Sequence, residues 1–227
     1  MSDYFIIYGL TIISLIITSL AQLFVSSSYS KYQKVKNERN ITGYEAARNL
    51  LDKHDLQDIK VVETSGYLTD HYDPTKRVIK LSREVYHGSS IASVSVACHE
   101  CGHAIQDKEN YFFLKIRSSL VPLVNFSSYA GYFAIVLGCL FGSINLIWLG
   151  IFAEMVILLF QLITLPVEIN ASKRALKELD YSHFFNSKEL KQGRTMLIAA
   201  ALTYVASIVT TLIQILRLIL MYGRRDD

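Results

Sequence analysis

Apolar positions along this chain fall into two kinds of run. Four runs are long and nearly unbroken. Residues 4–25 and 118–142 carry no charged side chain, residues 144–167 carry only Glu154, and residues 196–222 carry only Arg217. A helix needs about 20 predominantly apolar residues to cross the hydrocarbon core of a bilayer. Each run is therefore predicted to be a transmembrane helix. Their length and spacing argue against buried core helices of a soluble protein. The first run follows Met1-Ser2-Asp3, with no basic residue before it and no small-residue cleavage site after it. It reads as a retained anchor rather than a cleaved signal peptide.

The polar stretches between these runs show shorter periods. Tyr44, Ala47, Leu50 and Leu51 recur at helical spacing behind Thr42, a possible N-cap, so residues 41–54 are predicted to form a short helix. Residues 59–63 and 77–81 are candidate strands, separated by a turn marked by Gly66 and residues 70–74. They suggest a small antiparallel sheet beside a helix. A central helix follows, capped by Ser89 or Ser90. Ile91, Val94, Ala97 and Cys98 form its apolar face, and it runs to about Asp107 without a proline.

The expected order is an anchor helix (1–27), a first polar part (28–117), a transmembrane hairpin (118–167), a second polar segment (168–194), and a last transmembrane helix with its tail (195–227). Basic residues orient these pieces. Lys31, Lys34, Lys36 and Arg39 follow the first run. Lys173, Arg174, Lys177, Lys188, Lys191 and Arg194 lie between the third and fourth. Residues 141–145, inside the hairpin, have none. Both polar parts are therefore predicted to be cytoplasmic, with the amino terminus outside. The tail, residues 223–227, would then also be outside, although Arg224 and Arg225 argue mildly against it.

Composition narrows the function. The chain has 227 residues, room for one compact catalytic unit. A net charge of +3, with no basic-aromatic interleaving, excludes a nucleic-acid binder. Cys98, Cys101 and Cys139 are odd in number and two lie close together, so they read as reduced, packed thiols rather than a disulfide framework.

Chemistry concentrates in His99-Glu100-Cys101-Gly102-His103. Histidines four apart on a helix share one face, and two imidazoles at that spacing can hold one zinc ion. Glu100 then lies beside the pair. From there it can accept a proton from a water whose pKa the metal has lowered. Gly102 costs the helix about 1 kcal/mol against alanine, which suggests close packing by another element. A catalytic zinc takes a third protein ligand. The candidates are His54, His71, His87, His183, Glu154 and Glu168. The hairpin favours Glu168, because the chain re-enters there on the side that holds His99 and His103. Glu154 would lie deep in the bilayer, where a charge needs a partner. Ser172 or Asn170 could orient a ligand histidine. His183, Tyr181, Arg174 and His71 are candidate donors to a developing oxyanion.

Residues 99–106 (HECGHAIQ) and 165–172 (LPVEINAS), with residues 66–74 (GYLTDHYDP) and 199–205 (AAALTYV), resemble the YugP-like family of bacterial neutral zinc metallopeptidases. More distantly, the site is similar to membrane proteases of the HtpX and CAAX-processing type. The resemblance implies a gluzincin-like site, with His99, His103 and Glu168 on Zn2+ and Glu100 as the base. It also implies a mainly α membrane protein with a small α+β zincin-like cytoplasmic part. Its reaction would be hydrolysis of a polypeptide, a membrane protein among the substrates, in processing or quality control at the bacterial plasma membrane. Where the distant relatives carry an aspartate, this chain carries Ser172. The rival expectation is a non-catalytic scaffold stabilised by zinc, with Cys98 and Cys101 recruited as ligands. Asn125, Glu154, Gln161 and Gln214 are polar positions suited to helix–helix contact, a homo-oligomer included.

Overall fold

The computed structural model describes residues 2–223. Its elements run α1 (Ser2–Gln33), α2 (Gly43–Lys53), β1 (Lys60–Thr64), β2 (His71–Asp73), β3 (Val78–Ser82), α3 (Arg83–His87), α4 (Ile91–Lys108), α5 (Phe112–Phe141), α6 (Ile144–Tyr181) and α7 (Ser187–Tyr222). The protein is mainly α with a small α+β part. Four helices, α1, α5, α6 and α7, are long and apolar enough to cross a membrane. They extend beyond the apolar runs because the polar flanks, such as the stretch after Val167, contain good helix formers and continue the backbone ladder. Pro166 lies within α6 without ending it. The tail arginines Arg224 and Arg225 lie outside the described residues.

The chain divides into two compact units. The first comprises Met1–Gln22, Lys115–Leu165 and Leu202–Asp227. Its outward surface is apolar, with Phe126, Tyr129, Leu140, Phe141 and Phe152 all exposed. A water-soluble unit does not present such a surface, whereas a lipid-facing one must. Small residues bring α5 and α6 together: a Cβ on Gly131 would lie 2.6 Å from that of Ala153. Ile147, Ile151 and Leu218 form its buried centre. Arg217 donates from Nη1 to Thr11 Oγ1 at 3.0 Å, so the one charge of the last run has a partner on α1.

The second unit comprises Leu23–Leu114 and Pro166–Ala201. Thr42 caps α2 reciprocally: its hydroxyl accepts from Glu45 N at 3.2 Å, and its own N–H donates to Glu45 Oε2 at 2.8 Å. Ala46, Ala47, Leu50 and Leu51 turn the apolar face of α2 into the core. The sheet has the order β1-β3-β2, with β1 parallel and β2 antiparallel to β3. This corrects the antiparallel expectation. The chain leaves β1, passes to the far edge as β2, and returns as β3 between them. Residues 71–73, read as turn, pair with β3; three residues are too few for a period-2 signal to register. The turn proper is shorter, with Asp73 Oδ1 accepting from the N–H groups of Thr75 and Lys76 at 3.0 Å each.

Ser90 caps α4, its hydroxyl accepting from Ser93 N at 3.0 Å. The loop after α1 is fastened here by Asn37, whose Nδ2 donates to Ser89 O at 2.6 Å and Ile41 O at 2.8 Å. α4 is buried along nearly its whole length, against α2, β3 and the 166–201 segment. Thr42→Ala should lower the stability of the second unit by about 1 kcal/mol through loss of the cap. A thermal melt of the detergent-solubilised protein should show a midpoint a few degrees lower, with helix content before the melt unchanged.

Candidate metal centre

The centre rests on the contact between α4 and the part of α6 that belongs to the second unit. At the crossing, a Cβ on Gly102 would lie 2.7 Å from Ala171 O and 3.1 Å from its Cα. No side chain fits there, so glycine lets the two backbones approach. That approach brings together one ligand atom each from His99, His103 and Glu168, all within 4.8 Å of one another. His99 Nε2 lies 3.2 Å and His103 Nε2 3.6 Å from the same oxygen, Glu168 Oε2. Tetrahedral ligands about 2.0–2.2 Å from a zinc ion stand about 3.4 Å apart. The two observed separations bracket that value.

The other ring nitrogens are engaged. Ser172 Oγ lies 3.1 Å from His99 Nδ1. Gln106 Oε1 lies 3.0 Å from His103 Nδ1. The Gln106 amide, fully buried, is held in one orientation, because its Nε2 donates to Val167 O at 2.8 Å and to Asn170 Oδ1 at 2.9 Å. Its oxygen must therefore accept, and His103 Nδ1 must donate. The lone pair of His103 Nε2 then faces the Glu168 carboxylate. Lone pairs and a carboxylate oxygen at this separation require a cation among them, a proton or a metal. Burial works against protonation of His103. The hydrogen bond to Glu168 and the charges of Glu100 and Glu168 outweigh it, holding the pKa above the ordinary imidazole value. A site that favours a proton in this way also favours a metal dication. The donor set, two imidazoles and one carboxylate, suits zinc.

Glu100 is 8% exposed, next to His99 on α4. Its charge adds to burial in raising the pKa of Asp70, against the hydrogen bonds that Asp70 accepts from Ser82 N (2.7 Å) and Ser82 Oγ (3.1 Å). Three of the other histidines are committed elsewhere, and His183 lies just past the end of α6 with φ 55°. His54 pairs with Glu178 at 3.1 Å, His87 with Glu63 at 2.8 Å, and His71 Nδ1 lies 2.7 Å from Thr69 O. Of the candidate oxyanion donors, Arg174 pairs with Glu109 at 2.6 Å and donates to Asn170 Oδ1 at 2.7 Å. The ring of Tyr181 carries the Lys53 ammonium 3.8 Å from its centroid. Cys98 and Cys101 are fully buried, and burial raises both thiols well above the ordinary value. Neither belongs to the ligand cluster among the described residues.

Gln106 is the residue that motif reading missed. Its signal was available: it lies one turn beyond His103 on the same helix face.

Residues 6–223 match the model of a family described as "Putative neutral zinc metallopeptidase". A curated protein of Bacillus subtilis (strain 168), named "Putative membrane protease YugP", is 45% identical to this chain over 219 residues, covering 96% of this chain and 97% of that protein. No solved structure matches.

Gln106→Leu should weaken zinc binding by about 10–100-fold, as loss of a ligand's orienting partner does elsewhere. Gln106→Glu keeps an acceptor for His103 but sets its second oxygen against Val167 O and Asn170 Oδ1, so it too should weaken binding. Chelator competition on the purified variants measures both.

Proposed function

Because the chain belongs to the neutral zinc metallopeptidase family, we propose that it is a membrane-embedded endopeptidase that hydrolyses peptide bonds at the His99–His103–Glu168 centre, with Glu100 as general base. The observation that carries this reading is the convergence of both Nε2 atoms on Glu168 Oε2, with each Nδ1 held from behind. His99, His103 and Glu168 would hold the metal. A zinc ion bound there supplies Lewis acidity, which polarises the scissile carbonyl and makes a nearby water more acidic.

The chain's own residues do the rest. Glu100 takes a proton from the attacking water as its oxygen bonds to the carbonyl carbon. It then returns that proton to the departing amine as the C–N bond breaks. Ser172 and Gln106 hold the imidazoles in the tautomer that keeps each Nε2 available. The burial of Glu100 limits competing hydration of its carboxylate. The basic stretches that begin at Lys31 and Lys173 support a cytoplasmic site in a bacterial plasma membrane. The substrate class is a polypeptide, membrane proteins included, in processing or quality control. A closed structural zinc site would need four protein ligands. Only three donors cluster among the described residues, and neither buried cysteine joins them. This counts against the scaffold reading.

Cleavage of fluorescently labelled casein by the zinc-loaded protein in detergent tests the proposal, together with zinc content. Glu100→Gln should keep stoichiometric zinc and cut at least about a hundredfold more slowly. His99→Ala, His103→Ala and Glu168→Ala should each lose zinc. Wild-type cleavage by Glu100→Gln would remove the base assignment, and full zinc retention by Glu168→Ala would remove the third ligand.

A further inference from the structure

The first unit holds a cavity of about 220 Å³ within its own helices. Ser127 and Tyr132 of α5, Ala153, Glu154 and Ile157 of α6, and Gln214 of α7 contribute to its lining. The cavity is smaller than the roughly 300–1,000 Å³ of a typical small-molecule site, and larger than the roughly 30 Å³ share of one water. Its size suits one side chain.

Three of its polar side chains are unspent, whereas Ser128, also in the lining, donates to Val124 O at 2.9 Å. Among the described residues, no hydrogen bond or ion pair reaches the side chain of Glu154, Gln214 or Ser127. One heptad beyond Glu154 on α6, Gln161 has a buried Oε1 that likewise lacks a hydrogen-bond partner. Glu154 falls near the middle of the apolar run 144–167. A carboxyl at that depth is costly and calls for a partner. Within this unit the other charged side chain of a long run, Arg217, already has Thr11. Glu154 has no such contact. Ser127 and Gln214 can donate as well as accept, so the group in this cavity that calls for a donating partner is the Glu154 carboxyl.

We propose that this cavity receives a hydrogen-bond-donating side chain, preferably a basic one, from a transmembrane helix of the polypeptide substrate. Charge complementarity with Glu154 selects the side chain, and the size of the cavity limits the recognition to one residue. Polar side chains hydrogen-bond across helices in membranes, and a helix that carries one in hydrocarbon gains by burying it against an acceptor. The naming of that helix as substrate rests on the peptidase reading; the binding itself does not. The unit would thus select substrates whose membrane segment contains a misplaced donor, independently of the bond to be cut.

The test uses the full-length Glu100→Gln protein in nanodiscs of phosphatidylcholine, so that binding is read without cleavage. The probes are single-span leucine–alanine helices with lysine or leucine at the centre, followed by fluorescence energy transfer. The lysine helix should bind about tenfold more tightly than the leucine helix. Adding Glu154→Leu should erase that difference, while Glu154→Gln should retain part of it. Unchanged circular dichroism and zinc content in the Glu154 variants show that the fold is intact. Equal binding of the two helices to the Glu100→Gln protein would overturn the proposal. So would a lysine preference abolished by phosphatidylethanolamine, which would make a lipid amine the occupant. A shift in oligomeric state on Glu154→Leu, with no change in helix preference, would assign the cavity to a second copy and overturn it as well. None of these outcomes depends on whether casein is cut.

Discussion

Two imidazole nitrogens lie within 3.6 Å of one carboxylate oxygen where α4 crosses α6. All three present electron pairs to one another. Such a cluster repels itself unless a cation lies within it, and the surroundings keep it assembled. Gly102 allows the backbones to touch. Ser172 and Gln106 fix the rings. α2 and β3 bury the back of α4 so that it cannot swing away. The local fold serves this contact, and the nearly complete burial of α4 follows from it.

Much of this was legible in the chain. The i, i+4 histidines and the intervening glycine define a helix face and a close approach before any coordinates are known. Four unbroken apolar runs announce four membrane-length helices, since bilayer thickness fixes their length independently of tertiary context. Thr42 and Ser90 mark helix starts because each side chain offers an acceptor where the first N–H groups lack one. The mixed sheet was not legible. Strand direction depends on which edge the chain visits second, and no residue in 60–82 encodes that choice by periodicity. The edge strand at 71–73 is shorter than any pattern that could reveal it.

Orientation of the two imidazoles was only half legible. A serine at position 172 is visible as a hydroxyl on the right helix, and its distance to His99 Nδ1 depends on the depth at which α6 seats. Gln106 was harder, since glutamine is common on helix surfaces. Its meaning comes from the two acceptors on α6 that its nitrogen reaches, Val167 O and Asn170 Oδ1, and these are distant in sequence. The buried cysteines show the reverse case. Position alone made them candidates for a metal, and packing removed them: Cys101 Sγ points to Ala47 O of α2 at 3.6 Å.

The chain of contacts behind His103 ends at the protein surface. Gln106 leans on Asn170, Asn170 on Arg174, and Arg174 on Glu109, which is about half exposed. An exposed ion pair weakens as counterions accumulate around it. Ionic strength thereby acts on the far end of the lever that orients the His103 imidazole. The buried centre is shielded from solvent, and yet the salt outside has a mechanical path to it.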